Sequence, residues 1–180
     1  MRIRIIVPVL LLGLLSACQA APAPEAQKPP AAPAGVAEAN LAQVMRAINF
    51  PNSNVIFFAQ SNDPSKVKQA KDPSDATDIL ASTYGGWDAV ENSSLALSEA
   101  ANLLMLPGRK CSNGKDVPIQ NEDWAKLVQK LRDAGRTAYK AAQSKSQDNV
   151  VMAADAVTTA CADCHEKYRD KPGGDANRCM

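Results

Sequence analysis

Histidine is almost missing from the 180 residues, with His165 the one copy, and aromatic side chains make up only 4% of the chain. A core with so few rings must be built from Ala, Val, Leu and Ile, which suits closely packed helices better than a β-sandwich. No excess of either charge is present. The formal net charge is +1, so the chain lacks the basic footprint that would point to nucleic acid. No apolar run reaches the roughly 20 residues that a membrane span needs. The longest, residues 5–15, is interrupted by Pro8 and Gly13. The length suits one domain, and nothing in it calls for a second.

What is present begins with an address. Arg2 and Arg4 precede the apolar run, which ends in Leu15-Ser16-Ala17-Cys18. This resembles the lipobox of bacterial lipoproteins, in which cleavage leaves the cysteine as a lipidated first residue. The expectation is a signal peptide over residues 1–17 and a lipid anchor on Cys18. The protein would then be held to a membrane in the periplasm of a Gram-negative-type bacterium. In an ordinary cleaved signal Cys18 would have no role. Cleavage removes two of the 20 basic residues and leaves a chain close to neutral against its 19 acidic ones. Residues 18–39 are dominated by Ala and Pro without apolar periodicity, and read as an extended tether. The folded domain is expected over residues 40–180.

Four segments of that domain carry helical spacing. Leu41, Val44, Met45 and Ile48 mark the first, and Pro51 is expected to stop or kink it. Residues 52–60 could continue the helix or pack as a short extended piece. Residues 61–77 read as a polar connection. The second helix, residues 82–105, has Trp87, Val90, Leu97, Ala101 and Leu104 as its apolar stripe, and Pro107-Gly108 end it. After an ordered loop, Asn121 is the expected N-cap of a third helix whose buried face is Trp124, Leu127, Val128, Leu131, Ala134 and Ala138. The fourth, residues 148–170, sets Val150, Ala154, Val157, Cys161, Cys164 and Tyr168 on one narrow seam. Four such helices without a convincing strand argue for an all-α bundle.

Five cysteines are awkward in an oxidising compartment unless each has a task. Cys161-Ala162-Asp163-Cys164-His165 fits the C-x-x-C-H signature of covalent haem attachment. Two thiols about one helical turn apart can reach two vinyl groups on one porphyrin edge, while the adjacent imidazole turns to the iron. With Cys18 taking lipid, Cys111 and Cys179 remain as a possible disulfide, worth at most about 4 kcal/mol on the chain-entropy model. Free thiols are the alternative for that pair. A thioredoxin-like dithiol fits poorly, because this C-x-x-C lies late in a helix with no strand before it. Structural zinc would need Cys111 or Cys179 as further ligands. With His165 engaged, no Cys/His or Ser/His pair is left for catalysis, and the chain does not read as an enzyme.

With Cys161, Cys164, His165, Tyr168 and Arg169 near the end of a fourth helix, the sequence resembles the class II c-type cytochromes, cytochrome c′ and its low-spin relatives. The resemblance implies an antiparallel four-helix bundle with one haem c bound covalently to the C-terminal helix. It implies that Arg169 lies one turn after His165, where its charge could act on the imidazole or a propionate, unless it is simply a solvated helix end. It also implies that the first helix supplies the other face of the iron, which makes Met45 the candidate sixth ligand and Met105 its substitute. His/Met ligation would suit electron transfer with redox partner proteins. An apolar residue in that position would leave five-coordinate iron able to bind nitric oxide or carbon monoxide. A third possibility is a helical lipoprotein without haem that binds partners. Homodimers are frequent among cytochromes c′. The lipid anchor, the long connection over residues 107–120 and the tail ending near Cys179 depart from the pattern.

Overall fold

The computed structural model describes residues 35–170, 172–174 and 178–179. The expected signal peptide, Cys18 and the expected tether up to residue 34 lie outside the described residues. Within them the chain is all-helical, with four long helices and, instead of strands, one isolated antiparallel bridge between Lys110 and Asp116.

Helix α1 spans residues 41–61 in three pieces: Leu41–Val44, a π turn over Met45–Asn49, and Phe50–Ser61. A reciprocal cap fixes its start. Asn40 Oδ1 accepts from the Gln43 N–H at 2.9 Å, and Gln43 Oε1 accepts from the Asn40 N–H at 2.8 Å. Two donors that a helix start leaves unpaired are thereby satisfied.

Pro51 neither stops the helix nor leaves residues 52–60 extended; α1 runs on to Ser61. The π turn is the reason. The Phe50 N–H bonds to Met45 O, five residues back, and this shifts the carbonyl register just ahead of the proline. Pro51 then stands in the first turn of a new α-helical stretch, where a missing N–H costs little. Asn52 Nδ2 donates to Ile48 O at 2.7 Å and Ser53 Oγ to Phe50 O at 2.9 Å, so side chains serve carbonyls around the junction.

Helix α2, Trp87–Leu103, begins later than its periodicity predicts. Residues Ile79–Ala81 form a separate 3-10 turn, and Gly86 sits at φ 59° immediately before the helix. That left-handed conformation is one that residues with a Cβ rarely adopt, so the turn into α2 needs the glycine. Helix α3, Glu122–Gln143, starts where the sequence suggests, but Asn121 makes no side-chain cap; its side chain lies beside the Tyr168 hydroxyl instead. Helix α4, Gln147–Cys164, opens on Ser146, whose Oγ accepts from the Asn149 N–H at 3.4 Å. A second π turn, His165–Arg169, prolongs it.

Each helix packs chiefly on two others, in the order α1, α2, α3, α4 and back to α1. The apolar stripes meet in one core, where Val90, Leu97, Ala101, Trp124, Val150, Ala154 and Val157 are almost wholly enclosed. Burying one large side chain of this kind stabilises the fold by about 1.5–3 kcal/mol. Leu127, Cys161, Cys164 and Tyr168, predicted on the same faces, are only half-buried. Their open sides line a cavity.

Arg109 is a core cation that the sequence does not announce. It is 4% exposed; its Nε donates to Leu103 O at 2.9 Å and its Nη1 to Ala39 O. It thus closes the C-terminal end of α2 and fastens the segment entering α1. Burial lowers its proton affinity from the ordinary guanidinium value. Arg109→Ala is expected to cost about 2–3 kcal/mol, because two carbonyls lose a charged donor inside the protein. Urea unfolding measures this, and a loss under about 0.5 kcal/mol would mean that solvent replaces the guanidinium freely.

Candidate functional site

A cavity of about 790 Å³ opens between α1, the first half of α3 and the end of α4. Its volume lies within the roughly 300–1,000 Å³ of cofactor and small-molecule sites. Leu41, Phe57, Trp124, Val128 and Leu131 give it largely apolar walls. Trp124 is held by its Nε1 donating to Leu104 O at 3.3 Å, and its ring meets Tyr168 edge-on, with centroids 4.9 Å apart.

The structure brings Cys161, Cys164, His165, Arg169 and Met45 together on the wall of this cavity. Cys161 and Cys164 come from the last turn of α4 and carry free thiols. Their spacing of three keeps both on one face. Burial raises the proton affinity of both: Cys164 is pushed up to about 11, with Cys161 and Asp123 nearby adding to the effect, whereas Arg169 partly offsets the rise at Cys161. Both are therefore neutral thiols at pH 7, unlike the acidic cysteines of redox dithiols. Burial and then the Arg169 charge lower the proton affinity of His165, against a smaller opposing effect of Asp170. A neutral imidazole results, the form with a lone pair for a metal.

Arg169 is exposed at the rim, where its guanidinium pairs with the Asp170 carboxylate at 2.7 and 2.8 Å. Ion pairs Lys167–Asp123 and Lys130–Asp163 tie the same end of α4 to α3. Met45 is half-buried and lines the cavity. Of the other described methionines, Met105 packs against the core away from the cavity and Met152 is 68% exposed.

Met45 and His165 each open a π turn, a feature concentrated at functional sites because it re-aims side chains. On α1 the consequence can be counted. At 3.6 residues per turn, residue 57 would stand about 160° around the axis from residue 41. The wider π turn takes up part of that rotation, and Leu41, Met45, Asn49, Ser53 and Phe57 all line the cavity. Asn49 and Ser53, both 7% exposed, are site residues that sequence reasoning misses. Asn49 stands four residues after Met45 and ahead of Pro51, a spacing that was the available signal, whereas Ser53, four further on, lies beyond the break expected at Pro51.

Cys111 and Cys179 form a disulfide with Cα atoms 4.9 Å apart. It fixes the tail beside the site: the Cys179 N–H donates to Tyr168 O at 2.9 Å, and Asn113 Nδ2 donates to Arg178 O at 2.6 Å. The pairing removes the two extra thiolates that a zinc reading required. Among the described residues, no group of three or more His, Cys, Asp or Glu side chains is arranged to hold a bare metal ion. No described helix is long and apolar enough to cross a membrane. Comparison with protein-family models, curated proteins and solved structures found no match to this chain.

Proposed function

We propose that the chain is an exported mono-haem c-type cytochrome of class II, an antiparallel four-helix bundle that transfers electrons. In this reading haem c is attached through Cys161 and Cys164, and the iron is ligated by His165 and Met45. One observation carries it: those four side chains, from two helices, share the wall of a single cofactor-sized cavity. The donor chemistry fits as well. Two thiols one turn apart remain unoxidised in a chain whose Cys111 and Cys179 are bonded. Each thiol can add across a vinyl double bond, sulfur to one carbon and hydrogen to the other, to give a thioether.

The haem, when bound, supplies a one-electron iron couple. The chain supplies the rest. Leu41, Trp124, Val128 and Leu131, which line the cavity, would keep water from a bound haem. Neutral His165 offers its lone pair, and a thioether ligand from Met45 favours the ferrous state and a high potential. Held by both His165 and Met45, the group would exchange an electron with a partner with little rearrangement of the chain. Lipid on Cys18 and the Ala/Pro-rich tether would hold this domain near the periplasmic membrane face, within reach of redox partner proteins.

A haem stain after denaturing electrophoresis is the first test, since thioether-bound haem survives it. An unstained band would falsify the reading in favour of a helical lipoprotein without haem. In a stained protein, the reduced spectrum is expected to be low-spin and unaffected by carbon monoxide. Met45→Ala should convert it to a high-spin form that binds carbon monoxide. Carbon monoxide binding by the unaltered protein would instead make it a gas binder.

A further inference from the structure

The cavity lies between the two helices that carry its candidate ligands, and one short hairpin is fastened to both of them. Residues 109–117 turn back on themselves: the Val117 N–H donates to Arg109 O at 3.0 Å and the Cys111 N–H to Lys115 O at 2.8 Å. The first arm holds the start of α1. There the Leu41 N–H donates to Lys110 O at 2.8 Å, and Arg109 Nη1 donates to Ala39 O. Leu41 stands one turn before Met45, and both line the cavity. The same hairpin holds the end of α4 by way of the tail. Cys111 is bonded to Cys179, Asn113 Nδ2 donates to Arg178 O at 2.6 Å, and the Cys179 N–H donates to Tyr168 O at 2.9 Å. Tyr168 belongs to the π turn that His165 opens, and Cys179 itself lines the cavity.

One link in this path is covalent. Cys111 is 2% exposed and packed in the core, so the bridge ties the tail to a rigid anchor. Without it, hydrogen bonds alone would hold a chain end, and chain ends held so weakly fray. We propose that the Cys111–Cys179 bridge is a positioning clamp for the iron site: through hairpin and tail it fixes the Met45 end of α1 against the His165 turn of α4. The inference rests on the cytochrome reading and adds two residues to it. Ligand sets work only when the structure behind them holds each member within about 0.5 Å of its place. Gln147 supplies the contrast. Away from the cavity, at the other end of the same helix pair, its Nε2 donates to Ala59 O at 3.2 Å and to Gln60 O at 3.1 Å.

The test takes full-length holoprotein in four forms: unaltered, carrying both Cys111→Ala and Cys179→Ala, unaltered but with its bridge reduced by a phosphine, and carrying Gln147→Ala. In the two forms without the bridge, carbon monoxide should now change the reduced spectrum. The Asp170 N–H, which closes the π turn onto His165 O at 2.7 Å, should exchange with solvent faster. In the double variant, imidazole should displace the sixth ligand about tenfold more readily, the equivalent of one lost hydrogen bond. Gln147→Ala should lower the melting temperature and move none of these readouts. If the double variant does not fold, reduction of the assembled holoprotein decides, because fold and haem are already in place. A bridge-free protein that melts earlier but keeps its carbon monoxide response and Asp170 exchange unchanged would make the bridge a brace alone, overturning the inference while the cytochrome reading stands. Carbon monoxide binding by the unaltered protein would overturn it too, since there would be no Met45 ligation to hold. An unaltered chain without covalent haem overturns the underlying reading, and the clamp with it.

Discussion

Replacing Cys161 and Cys164 together with alanine is expected to leave no haem on the chain after denaturing electrophoresis, while either single replacement keeps a stain through the remaining thioether. Loss of fold does not account for this outcome. Alanine is the best helix former, so α4 gains rather than loses local propensity. Both thiols are only half-buried at the cavity, so removing each sulfur should cost less than the 2–5 kcal/mol of truncating a fully enclosed Leu or Met. Far-ultraviolet circular dichroism of the double variant should therefore still report a helical protein. His165→Ala separates attachment from ligation: the stain persists, but the low-spin spectrum goes. A double cysteine variant that still stains would show that the haem is held elsewhere on the chain.

Much of this site can be read before any coordinates. C-x-x-C-H is a local pattern whose chemistry depends on spacing alone, and the apolar stripes of α2, α3 and α4 follow from the 3.6-residue period. Trp124, Val128 and Leu131, enclosed on α3, are examples. What was hidden depends on departures from that period. Pro51 reads as a break by the local rule, and only the π turn at Met45–Asn49 shows how the helix passes it. Ser53 could not be identified while residues 52–60 were ambiguous, because its place on the wall depends on the helix continuing. Arg109 was invisible for another reason. Its partners, Leu103 O and Ala39 O, are backbone atoms, and no side-chain pattern encodes them. The tether shows the same limit: Ala39, its last expected residue, packs against the core and accepts that hydrogen bond.

Gly135→Ala is expected to destabilise the protein, although helix propensity alone predicts a gain of about 1 kcal/mol. Gly135 lies on the buried face of α3 where that helix crosses α2. A Cβ there would stand 2.7 Å from Ser98 N and 3.0 Å from Ser94 O and Ser98 Cα. These are backbone atoms of a packed helix, which cannot swing aside as a side-chain tip can. Small residues face it: Ser94 and Ser98 are buried, and Ser94 Oγ turns back to its own Val90 O at 2.7 Å. Overpacking costs about 1–3 kcal/mol for small additions, enough to reverse the propensity gain. Gly135→Val adds two further methyl groups at the same contact. It should remove more than about 3 kcal/mol, a large share of the roughly 5–15 kcal/mol that holds a domain together. The damage should reach the site, because α3 also carries Trp124, Leu127, Val128 and Leu131 to the cavity wall. Forcing α3 away from α2 loosens that wall, so the haem-stained fraction of the valine variant should fall along with its unfolding midpoint. An alanine variant that unfolds at higher denaturant than the parent would mean that α2 and α3 stand further apart than these contacts indicate.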